Sequence, residues 1–114
     1  MTIPHEITAL ISGLYQEIDE VEQSATAGLN LVRAQIQRFA DSRVLIQLFA
    51  YLNNSLLFVE TLRRRIEYSR LILSSDTPID ELSQEIGQDL AEQLGRVIEA
   101  KIGVVGVKNR LENW

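Results

Sequence analysis

The sequence contains no cysteine, a single histidine and only two prolines among its 114 residues. The absence of cysteine excludes disulfide bonds, thiolate catalysis and cysteine-ligated metal centres. The lone His5 cannot form a histidine ligand cluster, and a Ser-His-Asp arrangement would depend on it alone. The di-metal centres of helical bundles need Glu-x-x-His pairs, which the sequence lacks. We therefore predict that the protein has no catalytic residue, no metal site and no cofactor.

Signals for strands, export and membrane insertion are also weak. No segment shows the period-two alternation of a strand, and the N-terminus lacks a basic leader with a continuous apolar core, so we expect a cytoplasmic protein. The longest uncharged run is residues 44–59. It is shorter than the roughly 20 residues of a spanning helix and includes Gln47, Asn53 and Asn54. We expect this run to be a helix buried by its neighbours, with no membrane contact.

The dominant pattern that is present is a repeat of mostly apolar residues at alternating steps of four and three. Such a repeat keeps one narrow stripe of a helix, its seam, facing another helix, as in coiled coils. A first repeat comprises Ile7, Ile11, Leu14, Ile18, Val21, Ala25, Gly28, Val32, Gln35 and Phe39. A second comprises Leu45, Leu48, Leu52, Ser55, Val59, Leu62, Ile66, Ser69 and Leu73.

These repeats predict an all-α fold in one domain, residues 1–114. We expect an antiparallel bundle of three long helices, in which a coiled-coil-like hairpin packs against a third helix. Helix two is apolar on more than one side, so we expect it to be central and covered by both neighbours, with a second copy of the chain as a further possible cover. Three thin helices enclose little interior, and dimerisation through a twofold axis would complete the bundle. The predicted segments are helices at about 5–40, 43–73 and 78–102 and a short tail at 103–114.

Local signals place the helix boundaries. Asp41 and Ser42 can cap helix two, because their side chains accept the free N–H groups of its first turn. Asp76 or Thr77 caps helix three, with Pro78 at its first position. The two glycines at 103 and 106 are expected to end that helix.

Charge alternates along the chain and predicts the pairing register. The net charge is −5, which weighs against nonspecific nucleic-acid binding. A turn near residues 41–42 places position i of helix one opposite position 83 − i of helix two. The acidic segment 17–22 then lies level with the arginines at 63–65, with Glu17 near Arg65 and Glu22 near Arg63.

The Arg63, Arg64 and Arg65 cluster allows two interpretations. Acidic residues on helix one and within helix two can neutralise it internally. Alternatively, arginine forks suit phosphate, so the cluster could bind an anionic partner. A nucleic-acid-associated regulator using this cluster together with Arg33, Arg38 and Arg43 is therefore the second functional hypothesis.

Helix three shows a different apolar rhythm, in steps of four, and beside it a stripe of small residues. A stripe without bulk suggests close approach of another backbone, although surface glycines would give the same pattern. The tail is apolar and could fold back on the bundle or dock on a partner. The apolar row is Leu82, Ile86, Leu90, Leu94, Ile98 and Ile102, and the small-residue stripe is Ser83, Gly87, Ala91 and Gly95.

The first functional hypothesis is a noncatalytic α-helical interaction module, acting as an adaptor, assembly factor or regulatory subunit and forming a homodimer. Another protein is a further expected partner. The predicted interface residues are Gly87, Ala91, Gly95, Arg63, Arg64, Arg65, Val105, Leu111 and Trp114.

Overall fold

The computed structural model describes residues 4–75 and 80–114, which form three long α-helices and, in those ranges, no β-strand. The helices are α1 (His5–Arg38), α2 (Arg43–Leu73) and α3 (Asp80–Glu112). They form an elongated bundle of 57 × 17 × 16 Å in which α2 runs antiparallel to the other two. The predicted all-α bundle of three helices is confirmed.

The turn between α1 and α2 is capped as the sequence predicts. The Ser42 hydroxyl accepts a hydrogen bond of 3.3 Å from the backbone N–H of Leu45. This bond satisfies one of the free donors of the first turn of α2. The predicted cap and proline at the start of helix three, residues 76–78, lie outside the described residues.

The 4-3 repeats of α1 and α2 form the core. Most of their members are buried, including Leu14, Ile18, Leu52 and Ile66, none of which exposes any surface. The hairpin register is close to the prediction: Tyr15 of α1, predicted to lie opposite position 68, donates a hydrogen bond to Glu67 of α2. The sequence pattern therefore predicted both the buried stripe and its alignment.

The central helix is α1, and the prediction that helix two is central was wrong. α1 packs extensively against both neighbours, whereas α2 and α3 contact each other much less. The outer side of α1 is correspondingly polar, and its exposed residues follow a 4-3 repeat of their own. They are Ser12, Gln16, Asp19, Gln23, Thr26, Asn30, Arg33 and Gln37.

Helix α3 differs from the prediction in its length and in its buried face. It continues through both glycines to Glu112, so the predicted end at 102 and the separate tail were wrong. Its core face follows a 4-3 repeat instead of the row of fours. Because an α-helix has 3.6 residues per turn, a row of fours drifts by about 40° at each step and leaves the core. The buried residues are Ile86, Leu90, Gln93, Val97, Val104 and Leu111.

Two glycines lie where a neighbouring helix comes close. A Cβ built on Gly28 of α1 would lie 2.9 Å from Cδ1 of Leu52. A Cβ on Gly103 of α3 would overlap the hydroxyl of Tyr51. Gly103 therefore makes room for a tyrosine of α2, and it does not terminate the helix.

Candidate interaction surface

Two members of the predicted arginine cluster hold the helices together. Arg63 of α2 contacts α1, with its Nη2 atom 2.9 Å from Oδ1 of Asp19 and a second ion pair to Glu22. Arg65 contacts α3, with its Nε atom 2.9 Å from Oδ2 of Asp89. The hydrogen bond to Glu22 is the main reason that the pKa of Arg63 lies above its usual value. These arginines fix the register of α2 against both neighbours.

The remaining member of the cluster pairs within its own helix. The Nη2 atom of Arg64 lies 2.8 Å from Oε1 of Glu60, one turn earlier, and both side chains are well exposed. All three arginines thus face carboxylates, as the internal-pairing interpretation predicts. Paired arginines leave a smaller charge with which to displace counterions from a nucleic acid.

A second ion-pair cluster joins α1 to α3, and the sequence did not predict it. The Nζ atom of Lys101 lies 2.6 Å from Oε2 of Glu17 and 3.0 Å from Oε2 of Glu20. Hydrogen bonding, first to Glu17 and then to Glu20, raises the pKa of Lys101. Glu17 therefore pairs with α3 and not with Arg65 as predicted, because α3 runs parallel to α1 along that flank.

The described residues do not assemble a metal site. Within residues 4–75 and 80–114, no three Asp, Glu, His or Cys side chains converge on one point. Glu17 and Glu20, which lie one turn apart on α1, both form ion pairs with Lys101.

The small-residue stripe of α3 is not a close packing contact within one chain. A Cβ built on Gly87 would lie 3.7 Å from Ile7 of α1, which is ordinary contact, and Gly95 has no neighbour within 4 Å. Beside Gly87, an open groove of about 530 Å³ separates the start of α1 from α3, with Leu10 and Ala91 among its lining residues. Small residues here leave space that the chain itself does not fill.

The predicted tail is the last part of α3. Leu111 is only 1% exposed and belongs to the core, so the end of α3 packs against the rest of the bundle. Trp114 is partly exposed, and the guanidinium of Arg110 lies 5.8 Å from its ring centroid. Val105 faces outward.

The outer side of α3 carries an uncovered 4-3 repeat of small and apolar residues, which we call the α3 outer row. It contains two of the predicted interface positions of the stripe and continues into exposed β-branched residues. Ile102, which is 68% exposed, is its most accessible large side chain. The row consists of Ala91, Gly95, Ile98, Ile102 and Val105.

The outer side of α2 carries four large apolar side chains that are each more than half exposed. Ile46 is 54% exposed and Leu57 is 60% exposed, and Tyr68 and Leu71 extend the surface toward the end of the helix. We call the following residues the α2 outer face: Arg43, Ile46, Ala50, Asn53, Leu57, Glu60, Tyr68 and Leu71. The sequence predicted that this helix would be buried on most sides, but its own chain covers only one side.

Among the described residues, α2 is also the one helix whose length and hydropathy would allow it to cross a membrane. Only 22% of its most apolar 18-residue window is buried in the bundle. That window lies in a helix with amides at Gln47, Asn53 and Asn54, which favour a protein neighbour over hydrocarbon.

From the sequence, Ile46 and Leu57 of α2 and the apolar row of α3 with Ile98 and Ile102 were expected to be buried, whereas these four side chains are exposed. The signal that could have separated them is the second 4-3 register in each helix, offset from the buried one. In comparisons with known proteins, no family model matches this chain, and no curated protein or solved structure is similar to it at a significant level.

Proposed function

We propose that this protein is a noncatalytic α-helical interaction module, an adaptor, assembly factor or regulatory subunit, that associates with a second copy of itself. The observation that carries the proposal is the α2 outer face. Its Ile46 and Leu57 remain more than half exposed in the single chain. Large apolar side chains gathered on one helix face are typical of a surface that another molecule covers.

The total surface of the chain supports the proposal. The chain exposes 7324 Å², whereas a folded monomer of 12.9 kDa is expected to expose about 6,300 Å². The excess of roughly 1,000 Å² is similar to the ~800 Å² that each partner contributes to a standard interface. A partner that covers one side of this slender monomer would therefore bury about as much surface as the excess.

The distribution of polar residues limits where the partner lies. The outer side of α1 is polar along its whole length, whereas the apolar surface lies on α2 and α3. The predicted interface positions Ala91, Gly95 and Val105 lie in the α3 outer row, which gives the module a second surface for another protein. Nucleic-acid binding is less favoured, because the arginines at 63–65 are paired with carboxylates.

The test is the mass of the protein in solution as a function of concentration. Light scattering is expected to give twice the chain mass of 12.9 kDa at micromolar concentration. The thermal midpoint should rise with protein concentration, since unfolding then includes dissociation. A chain that stays monomeric at several hundred micromolar, with a midpoint independent of concentration, would contradict the proposal.

A further inference from the structure

We propose, building on the self-association proposed above, that the second copy packs antiparallel on the first part of the α2 outer face, residues 43–60. The twofold axis would pass α2 at the level of Tyr51 and Leu52. The proposal rests on the order of residues along this face. When two copies run in opposite directions, apolar residues meet apolar residues and opposite charges meet.

The central part of the face is a 4-3 repeat of six residues: Arg43, Ile46, Ala50, Asn53, Leu57 and Glu60. In an antiparallel pair, a residue at position i meets position 103 − i of the other copy. Ile46 then packs against Leu57 of the partner subunit, and Ala50 against Asn53 of the partner subunit. A large apolar pair thus lies on each side of a small central layer.

The ends of this repeat carry opposite charges. In the same register, Arg43 meets Glu60 of the partner subunit, and by symmetry the pair occurs twice. Both side chains are exposed. The contact between Glu60 and Arg64 within one helix is a surface pair, of the kind that contributes little and can rearrange.

The positions flanking the repeat are also complementary. Like flanks meet in an antiparallel pair, so the numbers of the paired flanking residues add up to 105 or 101 in place of 103. On the flank toward α1, Phe49 meets Leu56 of the partner subunit, and both are half-buried in the single chain. On the other flank, Gln47 meets Asn54 of the partner subunit, where two exposed amides can exchange hydrogen bonds. An apolar flank beside the bundle and a polar rim outside it are the usual arrangement of an interface.

Other arrangements of the same face lose these contacts. In a parallel pair, Arg43 and Glu60 would each meet their own copies, so like charges would be opposed. An antiparallel pair shifted by one heptad would bring Arg64 of the partner subunit onto Ile46. A lipid surface would leave the central amides without hydrogen-bond partners. The antiparallel register is the one that satisfies both the charges and the apolar residues.

Disulfide trapping tests this register directly, because the chain contains no cysteine. The variants Ile46→Cys and Leu57→Cys are made separately, then oxidised alone or as an equimolar mixture. The mixture is expected to yield a covalent dimer, and each variant alone is not. In the proposed register the two copies of residue 46 are eleven positions apart, about 16 Å along the helix, beyond the ~7 Å Cα separation of a disulfide.

Charge reversal provides an independent test that adds no covalent bond. Arg43→Glu and Glu60→Arg should each raise the Kd of the dimer about tenfold, because two symmetric attractions become repulsions. The double variant should return the Kd to within about twofold of the original. Arg33→Glu, on the polar outer side of α1, is the matched control and should leave the Kd unchanged.

The outcomes separate this inference from the proposed function. A dimer that crosslinks through each single cysteine alone, or that ignores the charge reversals, overturns the antiparallel register but leaves self-association standing. If Ile102→Glu abolishes the dimer and Ile46→Glu does not, the interface lies on the α3 outer row. That result also overturns the register and leaves self-association standing. A monomer at all concentrations, or binding of α2 to phospholipid vesicles in place of dimerisation, overturns both.

Discussion

Individual glycines in this bundle have different surroundings, although the sequence makes them look alike. Gly28 of α1 faces the fully buried Leu52, so its missing side chain is needed for helix packing. Gly13, in the same helix, has no neighbour within 4 Å of a built Cβ. Glycine within a helix costs about 1 kcal/mol relative to alanine. At Gly13 only this cost applies, whereas at Gly28 an added side chain would also crowd Leu52.

Substituting each glycine by alanine should therefore change stability in opposite directions. Gly13→Ala is expected to raise the free energy of unfolding by about 0.5–1 kcal/mol, through helix propensity alone. Gly28→Ala is expected to lower it by about 1 kcal/mol, since crowding a buried leucine outweighs that gain. Urea denaturation at fixed protein concentration measures both. A stabilised Gly28→Ala variant would show that the α1–α2 contact is looser than described.

The ion pairs of Lys101 with Glu17 and Glu20 make a pH-dependent contribution to stability. Because they raise the pKa of Lys101 above its ordinary 10.5, their contribution is complete below that value. It is lost as the pH rises through the higher pKa of the folded state. Lys101→Met should therefore be less stable than the wild type at pH 8, and the difference should shrink above pH 11. A difference that does not change with pH would assign the effect to packing of the side chain.

At the scale of whole elements, α1 and α2 were largely predictable from the sequence and α3 was not. In the first two helices a 4-3 repeat identifies the buried face and the hairpin register, although α2 carries further apolar residues on its other sides. In α3 apolar residues follow two rows, one in steps of four and one with 4-3 spacing. The sequence alone does not show which of the two rows packs against α1. In the structure the 4-3 row of α3 is buried. Its average spacing of 3.5 residues keeps it in contact with α1, which runs parallel to α3. The row of fours leaves Ile98 and Ile102 outside.

The end of α3 and the outer side of α2 were predicted wrongly for other reasons. Gly103 predicts a helix end because glycine is common there. The reason that it lies within the helix is its contact with Tyr51, which is distant in sequence. Apolar residues all around α2 suggest burial within the chain, whereas the structure leaves one side of α2 uncovered. Of the predicted interface residues, Leu111 belongs to the core, while Ala91, Gly95 and Val105 face outward.

Paired alanine substitutions test the assignment of the α3 core. Leu111→Ala should lower the free energy of unfolding by about 2–3 kcal/mol, because it creates a cavity at a fully buried position. Ile102→Ala should change it by less than about 0.5 kcal/mol, because that side chain is already exposed to water. Chemical denaturation monitored by circular dichroism distinguishes the two. Equal effects would indicate that α3 is rotated relative to the described bundle.

At the scale of the whole molecule, the surface is divided into a polar side on α1 and apolar sides on α2 and α3. The acidic balance of −5 and the paired arginines on α2 lower the attraction of this surface for phosphate backbones. The uncovered apolar sides favour association with protein.

A gel-retardation assay tests that preference. Duplex DNA and single-stranded RNA should show no retarded band at 50 mM salt with micromolar protein. A retarded band that weakens steeply as salt rises would instead support the nucleic-acid-associated regulator. Arg33→Glu and Arg38→Glu, on α1, would then be expected to weaken it.

In the proposed dimer, a second copy of the chain covers residues 43–60 of the α2 outer face. Sedimentation equilibrium of the wild type and of Ile46→Glu tests it most directly, with Ser12→Glu on the polar side of α1 as the control. We expect a dimer for the wild type and the control, and a folded monomer for Ile46→Glu with unchanged helical circular dichroism. A monomeric wild type, or a dimer that Ile46→Glu leaves intact, would contradict it.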